Sequence, residues 1–95
     1  MRRIVWSAPA VDDLRGIDDW LTRNADPEHA VQALEAVRRC AAWLVDFPRG
    51  GRPHRDGARV LRIYGTPYLI RYIVTDDRVE VLRVHHEREN WHVAP

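Results

Sequence analysis

The chain has 95 residues, 31% of them charged and 45% hydrophobic, with a formal net charge of +1. That length holds one small core and no second, so residues 1–95 read as a single domain that buries only roughly 60–65% of its surface on folding. One cysteine, Cys40, rules out an internal disulfide or a cysteine-rich metal cluster, and no apolar run nears the roughly 20 residues of a membrane span.

The start, Met1–Trp6, is basic but has no apolar stretch of a secretory signal before Pro9 and Asp12-Asp13, so the expected location is the cytoplasm. All 15 basic residues are arginine, which removes every ammonium group from the catalytic repertoire. Residues 1–47 carry 6 Arg against 8 Asp/Glu, whereas residues 48–95 carry 9 Arg against 6 and four of the five histidines. The second half is therefore the one suited to an acidic or polyanionic partner.

Residues 2–6 read as a short strand. Ser7 is an N-cap with Pro9 in the first helical turn, and Val11, Leu14, Ile17, Trp20 and Leu21 recur at helical spacing. Asp12-Asp13 and Asp18-Asp19 read as the solvated face of that helix. Asp26-Pro27 opens a second helix to about residue 46, whose stripe Ala30, Leu34, Val37, Ala41 and Leu44 steps by 4, 3, 4 and 3. Two such neighbours form an antiparallel helical hairpin.

Phe47-Pro48 stops the hairpin, and residues 49–58 form a loop rich in Gly and Arg. The period then changes to two: Arg59–Tyr64, Pro67–Thr75 and Arg78–His85 are strands parted by Gly65-Thr66 and Asp76-Asp77. The expected fold is α+β, an N-terminal strand and a helical hairpin packed on an antiparallel sheet. Alternation puts Leu61, Ile63, Tyr68, Ile70, Tyr72, Val74, Leu82 and Val84 under the helices. It puts Val60, Arg62, Tyr64, Leu69, Arg71, Ile73, Val81, Arg83 and His85 on the opposite face. Three guanidinium groups among aliphatic side chains suit neither plain solvent nor a dry core, so this face is expected to meet a partner.

Segment 49–62 holds five arginines against Asp56 alone, with Gly50, Gly51 and Gly57 permitting close backbone approach, a composition that fits phosphate. His85 and His86 are adjacent in a strand and so point to opposite faces. His54 lies in the basic loop. Imidazole beside arginine is equipment for cleaving RNA, while histidines in ordinary structural roles account for the same spacing. No metal-ligand spacing is present, and neither metal nor cofactor is expected. Trp91 reads as a cap on an apolar edge.

The order of strand, hairpin, Gly/Arg loop and meander carries a resemblance. Trp6-Ser7-Ala8-Pro9-Ala10 with Asp13-Leu14, Phe47-Pro48 with Gly51-Arg52, and Arg59-Val60-Leu61 are its first parts. Gly65-Thr66-Pro67-Tyr68-Leu69-Ile70-Arg71-Tyr72 and Val81-Leu82-Arg83-Val84-His85-His86 complete it. Together they resemble the RelE/ParE superfamily of toxins from bacterial type II toxin–antitoxin modules. The resemblance implies a cognate antitoxin, bound as a hetero-oligomer through an amphipathic helix and an extended segment. It also implies one of two targets: DNA gyrase, poisoned without chemistry by the ParE-like branch, or messenger RNA on the ribosome, cut by the RelE-like branch.

The nuclease branch implies His54, His85, His86, Arg62, Arg71 and Arg83 as catalytic candidates. Yet the lysines used by several RelE-like enzymes are absent, and Leu69 stands where many of them have arginine, which favours the gyrase branch. Antitoxin or target contacts are expected at Arg59, Val60, Arg62, Leu69, Arg71, Ile73, Val81 and Arg83. A homologue that only binds its antitoxin is the third reading.

Overall fold

The structure, a computed structural model, describes residues 2–89. Strand β1 (Arg3–Trp6) leads into helices α1 (Ala8–Asn24) and α2 (Pro27–Asp46). A two-residue strand β2 (Arg52–Pro53) and a 3₁₀ turn (Arg55–Gly57) follow, then β3 (Arg59–Arg62), β4 (Tyr68–Val74) and β5 (Arg78–His86). Both helical boundaries have local causes. The Ser7 hydroxyl accepts from the Ala10 N–H at 3.1 Å, Asp26 accepts from the His29 N–H at 2.8 Å, and each helix has proline in its first turn, where a missing N–H costs nothing.

The sheet order is β1-β5-β4-β3-β2. The expected meander is β3-β4-β5; the N-terminal strand adds to it in parallel beside β5, and β2 pairs antiparallel with β3. The hairpin covers one face. On α2 the buried residues are Ala30, Val37, Ala41 and Leu44, the expected stripe apart from Leu34, which is half-buried. Val37, Ala41 and Leu44 meet Ala10 of α1 and Ile63, Tyr68, Ile70, Tyr72, Val79, Val81 and Val84 of the sheet side.

That list corrects the expected faces at two positions. Val81 is fully buried in the core and takes no part in the opposite face, and Leu82 is outside the core cluster. The cause is a β-bulge. Arg71 pairs with Arg83 but Tyr72 pairs with Val81, leaving Leu82 as one extra residue in β5. A period-two reading that is correct for Arg83, Val84 and His85 is therefore inverted on the N-terminal side of Leu82.

The loop after α2 is pinned from below. The Gly51 N–H donates to the Tyr72 hydroxyl at 2.9 Å, that hydroxyl donates to the Pro48 carbonyl at 2.8 Å, and Arg59 Nη1 donates to the Gly51 carbonyl at 2.7 Å. A Cβ on Gly51 would stand 2.7 Å from the Tyr72 oxygen, so only glycine lets the loop lie this close. Arg59, expected at a partner surface, is half-buried and helps to hold this loop.

Candidate functional site: an arginine face and an apolar groove

Two surfaces carry functional chemistry, one on each side of the sheet. On the face away from the helices the register forms rows. Arg62, Leu69 and His85 stand opposite one another across β3, β4 and β5. The next row is Arg52, Val60, Arg71 and Arg83 across β2 to β5, and Ile73 faces Glu80 beyond it. Val60 and Leu69 are buried together as a small apolar cluster of their own, so they form the floor between the arginines.

Arg83 does not stand free. Its Nε donates to Asp13 Oδ2 at 2.7 Å and its Nη2 to Asp13 Oδ1 at 3.0 Å, a two-pronged pair between β5 and α1. The same carboxylate accepts the Val84 N–H at 2.9 Å. It does so where β1 has ended: the Ser7 N–H donates to the Val81 carbonyl and the Ser7 hydroxyl to the Leu82 carbonyl, and Asp13 satisfies the next exposed group of β5. The reading of Asp13 as a solvated residue is thus corrected. Its sequence signal is position: three residues after Ala10 and four before Ile17, Asp13 falls on the inward stripe of α1, where a carboxylate needs a partner.

Arg83 is held in its charged form chiefly by the Asp13 hydrogen bonds. Arg71, half-buried, is pushed the other way, first by burial and then by the charges of Arg83 and of Arg55 in the 3₁₀ turn. Arg62 is exposed and paired with Glu87.

The three histidines do not converge. His85, on the arginine face, is 0% exposed, and its Nδ1 lies 3.4 Å from Glu89 Oε2. Burial lowers its pKa, with Glu89 opposing and Arg71 and Arg83 adding to the shift. His86 points to the other side, as adjacency requires, edge-on to Tyr68 with ring centroids 5.6 Å apart. Its Nδ1 accepts the Arg88 N–H at 3.0 Å. His54 is half-buried at the start of the 3₁₀ turn, with Nε2 turned away from solvent. Cys40 is half-buried with its thiol pushed up to about 11 by burial, which keeps it protonated and unreactive at neutral pH. Trp91 lies outside the described residues.

The second surface was not expected as the main apolar one. A groove of about 760 Å³ runs between the hairpin and the β3–β4 turn. Gly16, Ala33 and Ala36 give it a low floor, Trp20, Tyr64 and Tyr68 its aromatic walls, and Asp12, His29, His86 and Glu89 its polar edge. Trp20 is 57% exposed and Tyr64 wholly so, an unusual cost for a small domain unless something covers them. Among the described residues no helix is long and apolar enough to cross a membrane.

Comparison with known proteins decides the family. The ParE toxin family of type II toxin–antitoxin systems, parDE, matches residues 4–91. The chain belongs to this family. It is 31% identical over 86 residues to "Toxin RelE2" of Caulobacter vibrioides, covering 90% of this chain and 96% of that one. Among solved structures, the chromosomal ParDE system from P. aeruginosa superposes with a TM-score of 0.81 at 26% identity, over 90% of this chain and 96% of the other. The E. coli DinJ–YafQ complex shares the fold at a TM-score of 0.63 and 14% identity, over 92% and 94%. This ParE-family chain is thus a toxin of the type II toxin–antitoxin class, built as a helical hairpin on a mixed five-stranded sheet.

Proposed function

We propose that this toxin arrests growth at DNA gyrase, acting by binding and not by chemistry of its own, and that its antitoxin silences it by covering the groove. One observation carries the first part: neither strand imidazole stands accessible among the guanidinium groups of the open face. His85 is fully buried, His86 is on the opposite side of the sheet, and Arg83 is committed to Asp13. A general acid or base must reach the proton that it moves, and a transition-state cation must be free to follow developing charge. The groove supports the second part, since its exposed aromatic walls above Gly16 and Ala36 suit the apolar face of a helix.

The test is a pulse-label after tightly controlled induction, following thymidine and methionine incorporation side by side. Thymidine uptake is expected to fall first, and a purified gyrase–DNA cleavage assay then identifies the target. A collapse of methionine uptake first overturns the reading in favour of messenger RNA on the ribosome. As a second check, the triple variant His54→Ala, His85→Gln, His86→Ala is expected to stay toxic wherever circular dichroism shows it folded. Loss of toxicity in a folded triple variant would restore the nuclease.

A further inference from the structure

The side chains at the centre of the open face are buried, although among the described residues no helix lies over them. His85 is 0% exposed, Leu69 2% and Val60 3%. Both helices pack on the other side of the sheet, in the core that holds Tyr72 and Val84. β2 belongs to the far edge, three strands from β5. Arg62 and Glu87 pair beside the Leu69–His85 row, but with 61% and 36% of their side chains exposed they do not close it. Arg83 is drawn towards Asp13 on α1. Nor is Arg71 unrelieved: Asp13 favours its charged form, and neither Arg71 nor His85 is without a partner. An antiparallel sheet face that meets water leaves its side chains partly wet, so an imidazole with no exposure has something over it.

The chain leaves β5 in the right place to supply that cover. After His86 it turns: the Glu89 N–H donates to the His86 carbonyl at 3.0 Å, and the His86 N–H donates to Glu89 Oε1 at 2.7 Å. The other oxygen of that carboxylate lies 3.4 Å from His85 Nδ1. Six residues follow Glu89 in the sequence, with Trp91 and Val93 apolar among them. Trp91 is two residues beyond Glu89, a reach of up to about 7 Å, and Leu69 is the register partner of His85. An indole that buries roughly 150–250 Å² covers both, and its face accepts a guanidinium such as that of Arg71. The groove is the competing seat, because Glu89 lines it as well. Its walls decide against it. An occupant would bury Tyr64 and Trp20, yet Tyr64 is wholly exposed and Trp20 57% exposed.

We propose that residues 90–95 fold back over the open face, with the Trp91 indole seated on Leu69 and His85 beside Arg71. The partner expected at the centre of this face is then a segment of the same chain, and the groove stays open for a second protein. The inference stands apart from the choice between gyrase and messenger RNA, since it concerns the toxin alone.

The test is NMR of the isotope-labelled chain, residues 1–95, without any partner. Cross-relaxation from the Trp91 indole to the Leu69 methyl groups is expected. Contacts from Trp91 to Gly16, Ala36 or Tyr64 would put the segment in the groove and overturn the proposal. So would contacts of residues 90–95 with their sequence neighbours alone. The second measurement follows the His85 imidazole through a pH titration. Burial is the first cause of its lowered pKa, with Glu89 opposing and Arg71 and Arg83 adding. Trp91→Ala admits water and should raise that pKa towards the ordinary value of about 6.5. An unchanged His85 titration in folded Trp91→Ala would overturn the cover. The contacts are read on the parent chain, so the test stands even where the variant fails to fold.

Discussion

Asp13 ties the helical layer to the sheet through three hydrogen bonds. One oxygen pair orients Arg83 and also satisfies the Val84 N–H at the unpaired edge of β5. With Asp13→Ala, a half-buried guanidinium and a backbone donor lose their acceptor together, at a cost of about 2–3 kcal/mol. Asp13→Asn keeps an acceptor for Val84 and gives up the ion pair, so it should lose about half as much. Urea unfolding of the three proteins measures the order. Equal stability of Asp13→Ala and the parent would mean that the pair contributes nothing net.

His85 allows a second residue-scale prediction, with a definite sign. Its pKa in the folded chain is below the ordinary 6.5 because burial disfavours the imidazolium. The unfolded chain therefore takes up a proton at a pH where the folded one does not. The stability that comes from keeping His85 neutral is present above pH 6.5 and is lost as pH falls below it. The urea midpoint is expected to drop between pH 7.5 and pH 5.5, and the drop should shrink in His85→Gln. Identical drops in both proteins would place the proton uptake elsewhere.

At the scale of elements, most of the fold was legible because each boundary has a local cause. Ser7 and Asp26 cap the helices, Pro9 and Pro27 open them, and the Ala30–Leu44 stripe names the packed face of α2. The bulge was not legible. Nothing in Val79-Glu80-Val81-Leu82-Arg83 marks which residue is the extra one, since all three apolar side chains tolerate the core, and only pairing with β4 decides it. The partner of Arg83 is hidden for the same reason. Alternation places Arg83 and His85 on the observed face, but Asp13 lies 70 residues from Arg83, and the partner of a charged residue at that separation is set by topology. The bulge matters to the parallel strand as well. Val79 and Val81 reach the core only because Leu82 shifts the phase, and Ser7 bonds to both Val81 and Leu82. Deleting Leu82 would remove the bulge and leave unbroken alternation, with Val79, Val81 and Val84 still facing the core and Arg83 and His85 still on the open face. The deletion variant is expected to fold, with a cooperative thermal melt lowered by the lost bond from the Ser7 hydroxyl to the Leu82 carbonyl. Loss of the cooperative transition would mean that the bulge itself is needed to seat β5 between β1 and β4.

At the scale of the molecule, the sheet separates two tasks. Its helix side ends in an apolar groove, and its open side carries cations, so a protein that fills the groove need not compete directly for the arginines. Gly16 is the position at which this separation can be tested without harming the fold. It lines the groove, and a Cβ built there meets nothing within 4 Å. A larger residue therefore enters open space, and replacing a mid-helix glycine favours α1 by up to about 1 kcal/mol. Gly16→Arg should be at least as stable as the parent in urea and should remain toxic when expressed alone. In cells that co-express the cognate antitoxin it should no longer be neutralised, because the guanidinium occupies the floor on which an apolar helix would rest and loses solvent if covered. Growth rescue of Gly16→Arg equal to that of the parent would move the antitoxin off the groove. Loss of toxicity without loss of stability would place the toxin's target on the groove instead, and the two tasks would then share one surface.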